Sequence, residues 1–419
     1  MGTSTSIEEK KEVSIFRRPQ QGEASDLYWA CRNGDIDTVQ KIIASNTYID
    51  INCLEPNGST ALHAASFFGH TDIVRLLLHQ CGVIRHRRNR HGLTAYDEAA
   101  TDEIRQLFRR SSNSQRFCSD TTTDAEHLFT LTADEQMEDD DDNDKAPNDW
   151  VEGENDEEQI YLQRYDIHIA KTMASSSALR PLFRRRIRDK DDPNQIYNES
   201  TAAEALQRLI DEHITPSHSE YQKACELVSK YVKTKNVEHL LRLYSLETPF
   251  YKNLGMGQGN HCLLIPLLFK LDGLIKRAYQ GRSFRGLNMT RQDLRAYQWA
   301  LKHKGSILIT DSFCSTSVDQ DVACRFIDTS SPDTIPVLMV FNFSEKCDTA
   351  IQLFRLSDTL PSISDFEDEH EVLVLPKTLF HVTDIEVDKA NGQHTIYLEN
   401  VPTKGELFTS LQLLWKHRE

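Results

Sequence analysis

Long apolar runs are missing from this chain: across 419 residues no window comes near roughly 18 uninterrupted apolar side chains, so no membrane-spanning helix is expected. The stretch Met1–Arg18 is polar and charged and lacks the apolar centre of a secretory leader, which makes a cytoplasmic location the expectation. Cys-x-x-Cys is also absent. The nine cysteines stand alone at 31, 53, 81, 118, 225, 262, 314, 324 and 347, leaving no zinc or redox pair to read, and no metal is expected. An odd, scattered set without a leader fits reduced thiols, and the sequon Asn288-Met289-Thr290 is then expected to be unused. Basic excess is missing as well, which argues against a nucleic-acid-binding protein.

The net charge is −16, and it is concentrated. Between Asp134 and Glu158 lie 14 acidic residues and one lysine, a local charge of −13. The remainder is nearly balanced, so the acidity belongs to a tract and says little about the partners of the folded parts. Hydrophobic residues at 39% and aromatics at 8% suffice for real cores, and the length suggests two or three domains.

An internal repeat fills residues 24–110, after a polar stretch at 1–23 expected to be a flexible tail. Gly58-Ser59-Thr60-Ala61-Leu62-His63-Ala64-Ala65 returns loosely as Gly92-Leu93-Thr94-Ala95-Tyr96-Asp97-Glu98-Ala99, a step of 34. Gly34-Asp35-Ile36-Asp37-Thr38-Val39 returns as Gly69-His70-Thr71-Asp72-Ile73-Val74, a step of 35. Thr-x-Leu-His-x-Ala at such a period resembles ankyrin repeats, an all-α module. Glycines turn the chain between helices, alanines let paired helices approach, and Leu76, Leu77 and Leu78 supply an apolar stripe for the next unit. Two or three units are present, and the last has lost its Leu-His. Such a stack serves either as a packing module or as a partner-binding face, with Arg85, Arg87, Arg88 and Arg90 as a basic edge.

Residues 111–158 read as a disordered acidic linker. In 159–419, Arg184-Arg185-Arg186-Ile187-Arg188 is basic enough for a nuclear-import signal, a solvated helix face or a contact to the acidic tract. Three helices are expected between Ala202 and Leu254, with stripes at Leu206, Leu209 and Ile210, then Leu227, Tyr231 and Val232, then Leu240, Leu241, Leu243 and Tyr244. Gly255-Met256-Gly257-Gln258-Gly259 has the wrong spacing for a phosphate loop and follows no strand, so it reads as an ordinary loop. His261 with Cys262 lacks a third partner and reads as structural. After Gly281 the pattern changes to strands at Ser283–Leu287, Ser306–Thr310, Val337–Phe343, Glu371–Leu375, Leu379–Val387 and Thr395–Val401. Helices followed by strands indicate an α+β domain.

Chemistry concentrates in three segments of that domain. Glu369-His370-Glu371 opens the apolar, β-branched run Val372-Leu373-Val374-Leu375. On a continuous strand the two carboxylates would share a face, His370 would take the other, and their mutual repulsion would need a use. Upstream lie Ser283-Phe284-Arg285-Gly286-Leu287 and Ser312-Phe313-Cys314-Ser315-Thr316-Ser317. In this order the three resemble the Arg, Ser-Thr-Ser and Glu-x-Glu motifs of the mono-ADP-ribosyltransferases, in the branch shared by arginine-specific vertebrate enzymes and some bacterial toxins. The resemblance spans about Glu247 to Val401. It implies a split β core around a cleft for NAD+, which is consumed as substrate with release of nicotinamide.

By that resemblance Glu371 is the catalytic glutamate, holding a ribose hydroxyl and an oxocarbenium-like transition state. Glu369 is the glutamate that selects arginine as acceptor, since a carboxylate can orient a guanidinium. Arg285 grips phosphate and ribose, because a guanidinium stays charged and bonds bidentately. Gly286 lets the backbone approach the nicotinamide amide. Ser315, with Thr316 and Ser317 in the NAD+-binding set, braces the ribose and Glu371; Ser315 is also placed to cap a helix ahead. The loop Leu356–Asp368 corresponds to the segment that offers an aromatic to the acceptor, here Phe366, and its acidity suits a basic target. The expected function is arginine-specific mono-ADP-ribosyl transfer to acceptor proteins. The alternatives are an NAD+ glycohydrolase, for which Glu369 is unnecessary, and an interaction scaffold with an inactive transferase domain.

Overall fold

The computed structural model describes residues 24–110, 129–132, 151–152, 199–248, 267, 271–303, 306–310, 312–328, 334–357, 359–376 and 378–402. The tail, most of the acidic stretch, the basic cluster at 184–188, the glycine-rich loop at 255–259, and His261 with Cys262 lie outside the described residues. Those that are described fall into two compact units, one running to Arg110 and including Ile214–Leu227, the other taking the rest.

The first unit carries helices α1 (Asp26–Asn33), α2 (Ile36–Ser45), α3 (Tyr48–Ile51), α4 (Ala61–Phe68), α5 (Thr71–Arg75, continuing as a π turn through Gln80) and α6 (Asp102–Leu107). Gly34 and Gly69, at φ 78° and 83°, end α1 and α4 in the left-handed conformation that glycine adopts without penalty. Ser25, Asp35, Thr60 and Thr101 accept backbone N–H groups at the starts of α1, α2, α4 and α6. Leu27, Val39, Leu62, Ala65, Val74, Leu77, Leu78 and Ile104 form a shared core, so the expected leucine stripe is buried. Where the last unit lost its Leu-His, residues 95–98 form a turn rather than a helix. Thr94 and Asp97 bond each other there through backbone and side chain. Within the same unit the backbone at Ser219 comes so close to Gly82, at φ 57°, that a Cβ on Gly82 would lie 2.0 Å from the Ser219 carbonyl oxygen.

Three helices follow, as expected: α7 (Glu199–His213), α8 (Tyr221–Thr234) and α9 (Glu238–Ser245). One stripe differs. Val232 is exposed, and Ala224, Leu227, Val228 and Tyr231 are buried, because spacings of three and four keep a helical face and Val232 falls off it.

The second unit is a mixed helix and strand domain. Its strands are β1 (Phe129–Thr132), β2 (Val151–Glu152), β3 (Ala278–Met289), β4 (Leu308–Thr310), β5 (Cys314–Ser317), β6 (Ile335–Gln352), β7 (Glu371–Val374), β8 (Leu379–Val387) and β9 (His394–Asn400). Short helices α10 (Leu271–Leu274) and α12 (Gln320–Cys324) and the longer α11 (Arg291–Lys302) lie between them. The sheet runs β2-β1-β4-β8-β9-β6-β3-β5-β7. β6 is 18 residues long; most of it pairs with β3, and Ala350–Gln352 at its end pair with β7. Strands β6, β3, β5 and β7 thus close into a four-stranded ring, and Arg285, Ser315 and Glu371 all sit on it. Leu287, Leu294, Tyr297, Met339, Phe341, Val372, Phe380 and Leu398 are among its buried core.

The stretch read as an acidic linker contributes β1 and β2, with β1 antiparallel to β4 and β2 parallel to β1. Phe-Thr-Leu-Thr is a β-prone run in an otherwise acidic sequence, which accounts for the strand. No helix among the described residues is long and apolar enough to cross a membrane.

Candidate active site

Ring closure places Arg285 on β3, Ser315 and Ser317 on β5, and Glu371 at the start of β7. Phe284 is in register with Ser317, and Ser317 with Glu371. Glu371 is fully buried at 0% exposure, and Arg285 is 9% exposed. Ser315 joins them: its backbone carbonyl accepts from Arg285 Nη1 at 2.8 Å, and its Oγ donates to Glu371 Oε1 at 2.7 Å. A carboxylate and a guanidinium are thereby fixed on either side of one serine without a direct ion pair. Arg285 Nε is buried and has no hydrogen-bond partner among the described residues, a donor left over for a ligand.

The other two residues of the Ser-Thr-Ser run serve the frame. Thr316 Oγ1 donates to the Val372 carbonyl at 2.8 Å and lies 2.9 Å from Ser283 Oγ, tying β5 to both neighbours. Ser317 Oγ donates to the Glu369 carbonyl at 2.7 Å and accepts from the Asp319 amide at 3.0 Å. The helix ahead is capped by Asp319, whose side chain accepts from the Asp321 amide; Ser315 is not its cap. Burial pushes the Cys314 thiol pKa up, and the nearby Arg285 charge acts in the opposite sense.

Gly286 has a packing reason in addition to any ligand role. A Cβ there would lie 2.1 Å from the Ala323 carbonyl oxygen, so only glycine lets α12 lie this close to β3.

Two expectations at the acidic end are corrected. Glu369 and Glu371 do not share a strand face: Glu367–Glu369 form a 3₁₀ turn, His370 takes the left-handed conformation at φ 43°, and β7 begins only at Glu371. Consecutive acidic residues favour the turn, and β7 can begin only where β5 offers Ser317 as a partner. Glu369 is 3% exposed, whereas His370 is exposed, its ring edge-on to Phe354 at 5.4 Å. Phe366 is also not a surface aromatic. At 1% exposure it is buried, as the side chain with most to gain from leaving water in a polar loop.

That loop is held from outside the motifs. Arg242 on α9 donates to the Ser362 carbonyl at 2.6 Å and the Ser364 carbonyl at 3.2 Å, with Asp365 Oδ1 at 3.8 Å. Burial lowers the Arg242 pKa, and Asp365 foremost opposes that. Arg277, buried after α10, donates to the carbonyls of Gln352, Phe354 and Pro361 and meets Glu238 at 3.4 Å. Ser245 Oγ accepts from the Asp365 amide at 2.9 Å. Tyr244 lies buried beside Ser315, with its hydroxyl 3.2 Å from Ser315 Oγ. None of these four was singled out for the site from sequence. Arg242, Tyr244 and Ser245 lie in or beside a stripe read as plain helix core, and their partners are about 70 to 120 residues away.

Comparison with known proteins agrees with the first unit. The family model for ankyrin repeats matches residues 27–110 in three copies. Inversin of Danio rerio is 36% identical over 74 residues, covering 18% of this chain and 7% of inversin. Ankyrin repeat domain-containing protein 29 of Danio rerio is 37% identical over 57 residues, covering 14% of this chain and 19% of that protein. The chain thus spans less than a fifth of these relatives, and residues 27–110 are ankyrin repeats.

Among solved structures, the chain is similar to the ADP-ribosyltransferase HopU1 of Pseudomonas syringae pv. Tomato, with 12% identity, 50% of this chain and 100% of that chain covered, and a TM-score of 0.34. The type III effector XopAI from Xanthomonas axonopodis pv. citri gives 15% identity, coverage of 59% and 100%, and a TM-score of 0.34. The ADP-ribosyltransferase Vis in complex with agmatine gives 18%, coverage of 51% and 89%, and 0.24. At these scores the likeness by itself assigns no chemistry.

Proposed function

We propose that the second unit cleaves NAD+ and transfers its ADP-ribose to arginine side chains of acceptor proteins, and that the ankyrin array binds a protein partner. The observation that carries this reading is the convergence of three separate sequence motifs on Ser315, with Arg285 bonded to its carbonyl and Glu371 to its hydroxyl. Ser-Thr-Ser is a common tripeptide, but a buried carboxylate and a buried guanidinium joined through it are a specific arrangement.

NAD+ would supply the ADP-ribose, its nicotinamide leaving from a ribose carbon that becomes electron-poor. The residues present suit it. Arg285 keeps a buried donor to spare for a phosphate or ribose oxygen. Glu371 holds negative charge in a water-poor site, where it stabilises a developing cation far more than it would in water. Ser315 fixes the orientation of that carboxylate, so no reorganisation is needed during reaction. Glu369 orients the acceptor guanidinium and takes its proton.

The deep burial of Glu369 favours a second reading, an NAD+ glycohydrolase in which water is the acceptor. Incubation of the full chain with labelled NAD+, with and without poly-arginine, separates the readings. Label on the polymer supports transfer to arginine. Free ADP-ribose in both tubes supports hydrolysis. No nicotinamide release in either would leave the chain as an ankyrin scaffold with an inactive domain.

A further inference from the structure

We propose that Tyr244 is a positioning residue for this reaction, acting on Glu371 through Ser315; the role rests on the catalytic reading of Glu371 given above. The directions of the hydrogen bonds carry the inference. An ionised carboxylate only accepts, so the single Ser315 hydroxyl proton is committed to Glu371 Oε1 at 2.7 Å. Ser315 Oγ can then only accept from Tyr244, and the phenol, 3.2 Å away, is the donor. The result is a one-way chain, Tyr244 to Ser315 to Glu371. Each donor polarises the next, and the chain ends on the carboxylate.

The phenol is itself well placed. Tyr244 is buried on α9, its ring packs 5.3 Å from that of Phe313, and its hydroxyl proton is shared between Ser315 Oγ at 3.2 Å and the Phe313 carbonyl at 3.4 Å. A lone serine hydroxyl could swing toward another acceptor. With its lone pair engaged by a fixed phenol, Ser315 keeps its proton on Glu371. The neighbours of Tyr244 on α9 reinforce this: Arg242 and Ser245 bind the backbone of residues 362–365, so one helix anchors both the serine brace and the loop leading to Glu371.

The test is a double-mutant cycle on the full chain using Y244F, S315A and the pair, with kcat for nicotinamide release and KM for NAD+ measured for each. Phenylalanine keeps the ring against Phe313 and removes one oxygen atom, so folding is retained. Y244F is expected to lower kcat about fivefold to tenfold, with KM within about twofold, the size of one lost hydrogen bond. Because Tyr244 acts through Ser315, adding Y244F to S315A should cost nothing further. Full activity in Y244F, or losses that multiply in the pair, would overturn the role of Tyr244 alone. Wild-type protein that releases no nicotinamide would overturn the catalytic reading of Glu371, and the role of Tyr244 with it.

Discussion

Ser317 Oγ donates to the backbone carbonyl of Glu369 at 2.7 Å, so the last residue of β5 holds Glu369 in the turn just ahead of β7. The two glutamates, two positions apart in sequence, therefore occupy different backbone environments. Glu371 is a strand residue bonded through its side chain, and Glu369 ends a 3₁₀ turn.

This separation makes Glu369→Gln informative. The amide keeps the shape and removes the charge that orients and deprotonates a guanidinium. We expect arginine labelling to fall by roughly tenfold or more, with nicotinamide release to water largely retained. Both are read from one reaction with labelled NAD+. A parallel fall in the two would assign Glu369 to the NAD+ step, and no change in either would remove it from the site.

Arg242→Met should strip two carbonyls of the acidic loop of this donor and remove the Arg242 charge beside buried Asp365. The expected cost is about 3 kcal/mol of stability, seen as a lower denaturant midpoint with an unchanged slope. A midpoint equal to wild type would show that the loop does not depend on this tether.

For Gly286→Ala, the added methyl carbon would lie 2.1 Å from the Ala323 carbonyl oxygen, a backbone atom that cannot move aside cheaply. A loss of at least about 2 kcal/mol is expected. Unchanged stability with weakened NAD+ binding would instead assign the glycine to ligand approach alone.

How much of this could be read in advance depended on sequence separation. The Arg, Ser-Thr-Ser and Glu-x-Glu segments each carry a local signal, and strand periodicity marked the places where β3 and β7 form. The ankyrin glycines and caps were legible because a helix end is decided within about four residues. Arg242, Arg277 and Tyr244 were not, because their partners are brought in by chain pairing and nothing local distinguishes them from ordinary helix residues. The shared face expected of Glu369 and Glu371 failed for a related reason. Alternation predicts faces only where a partner strand exists, and β5 ends at Ser317, opposite Glu371.

The ankyrin array should respond to acid through His63. Its Nε2 donates to the Leu93 carbonyl at 3.1 Å, and its Nδ1 lies 2.7 Å from Thr60 Oγ1. Burial lowers its pKa to about 4. Unfolded, the same group titrates near 6.5. Its contribution is therefore fully present above about pH 6.5 and is lost as pH falls toward 4, by at most about 3 kcal/mol. Denaturation midpoints between pH 7 and pH 4 should show this decline in the wild type and a flatter profile in His63→Gln. Equal slopes would exclude a neutral buried His63.

The central claim is that Glu371 is the carboxylate on which NAD+ cleavage depends, and nicotinamide release by Glu371→Gln in the full chain tests it most directly. The amide can still accept the Ser315 hydrogen bond but carries no charge, so release should fall about 100-fold or more while the protein remains folded. A folded variant that retains more than about a tenth of wild-type release would contradict the claim.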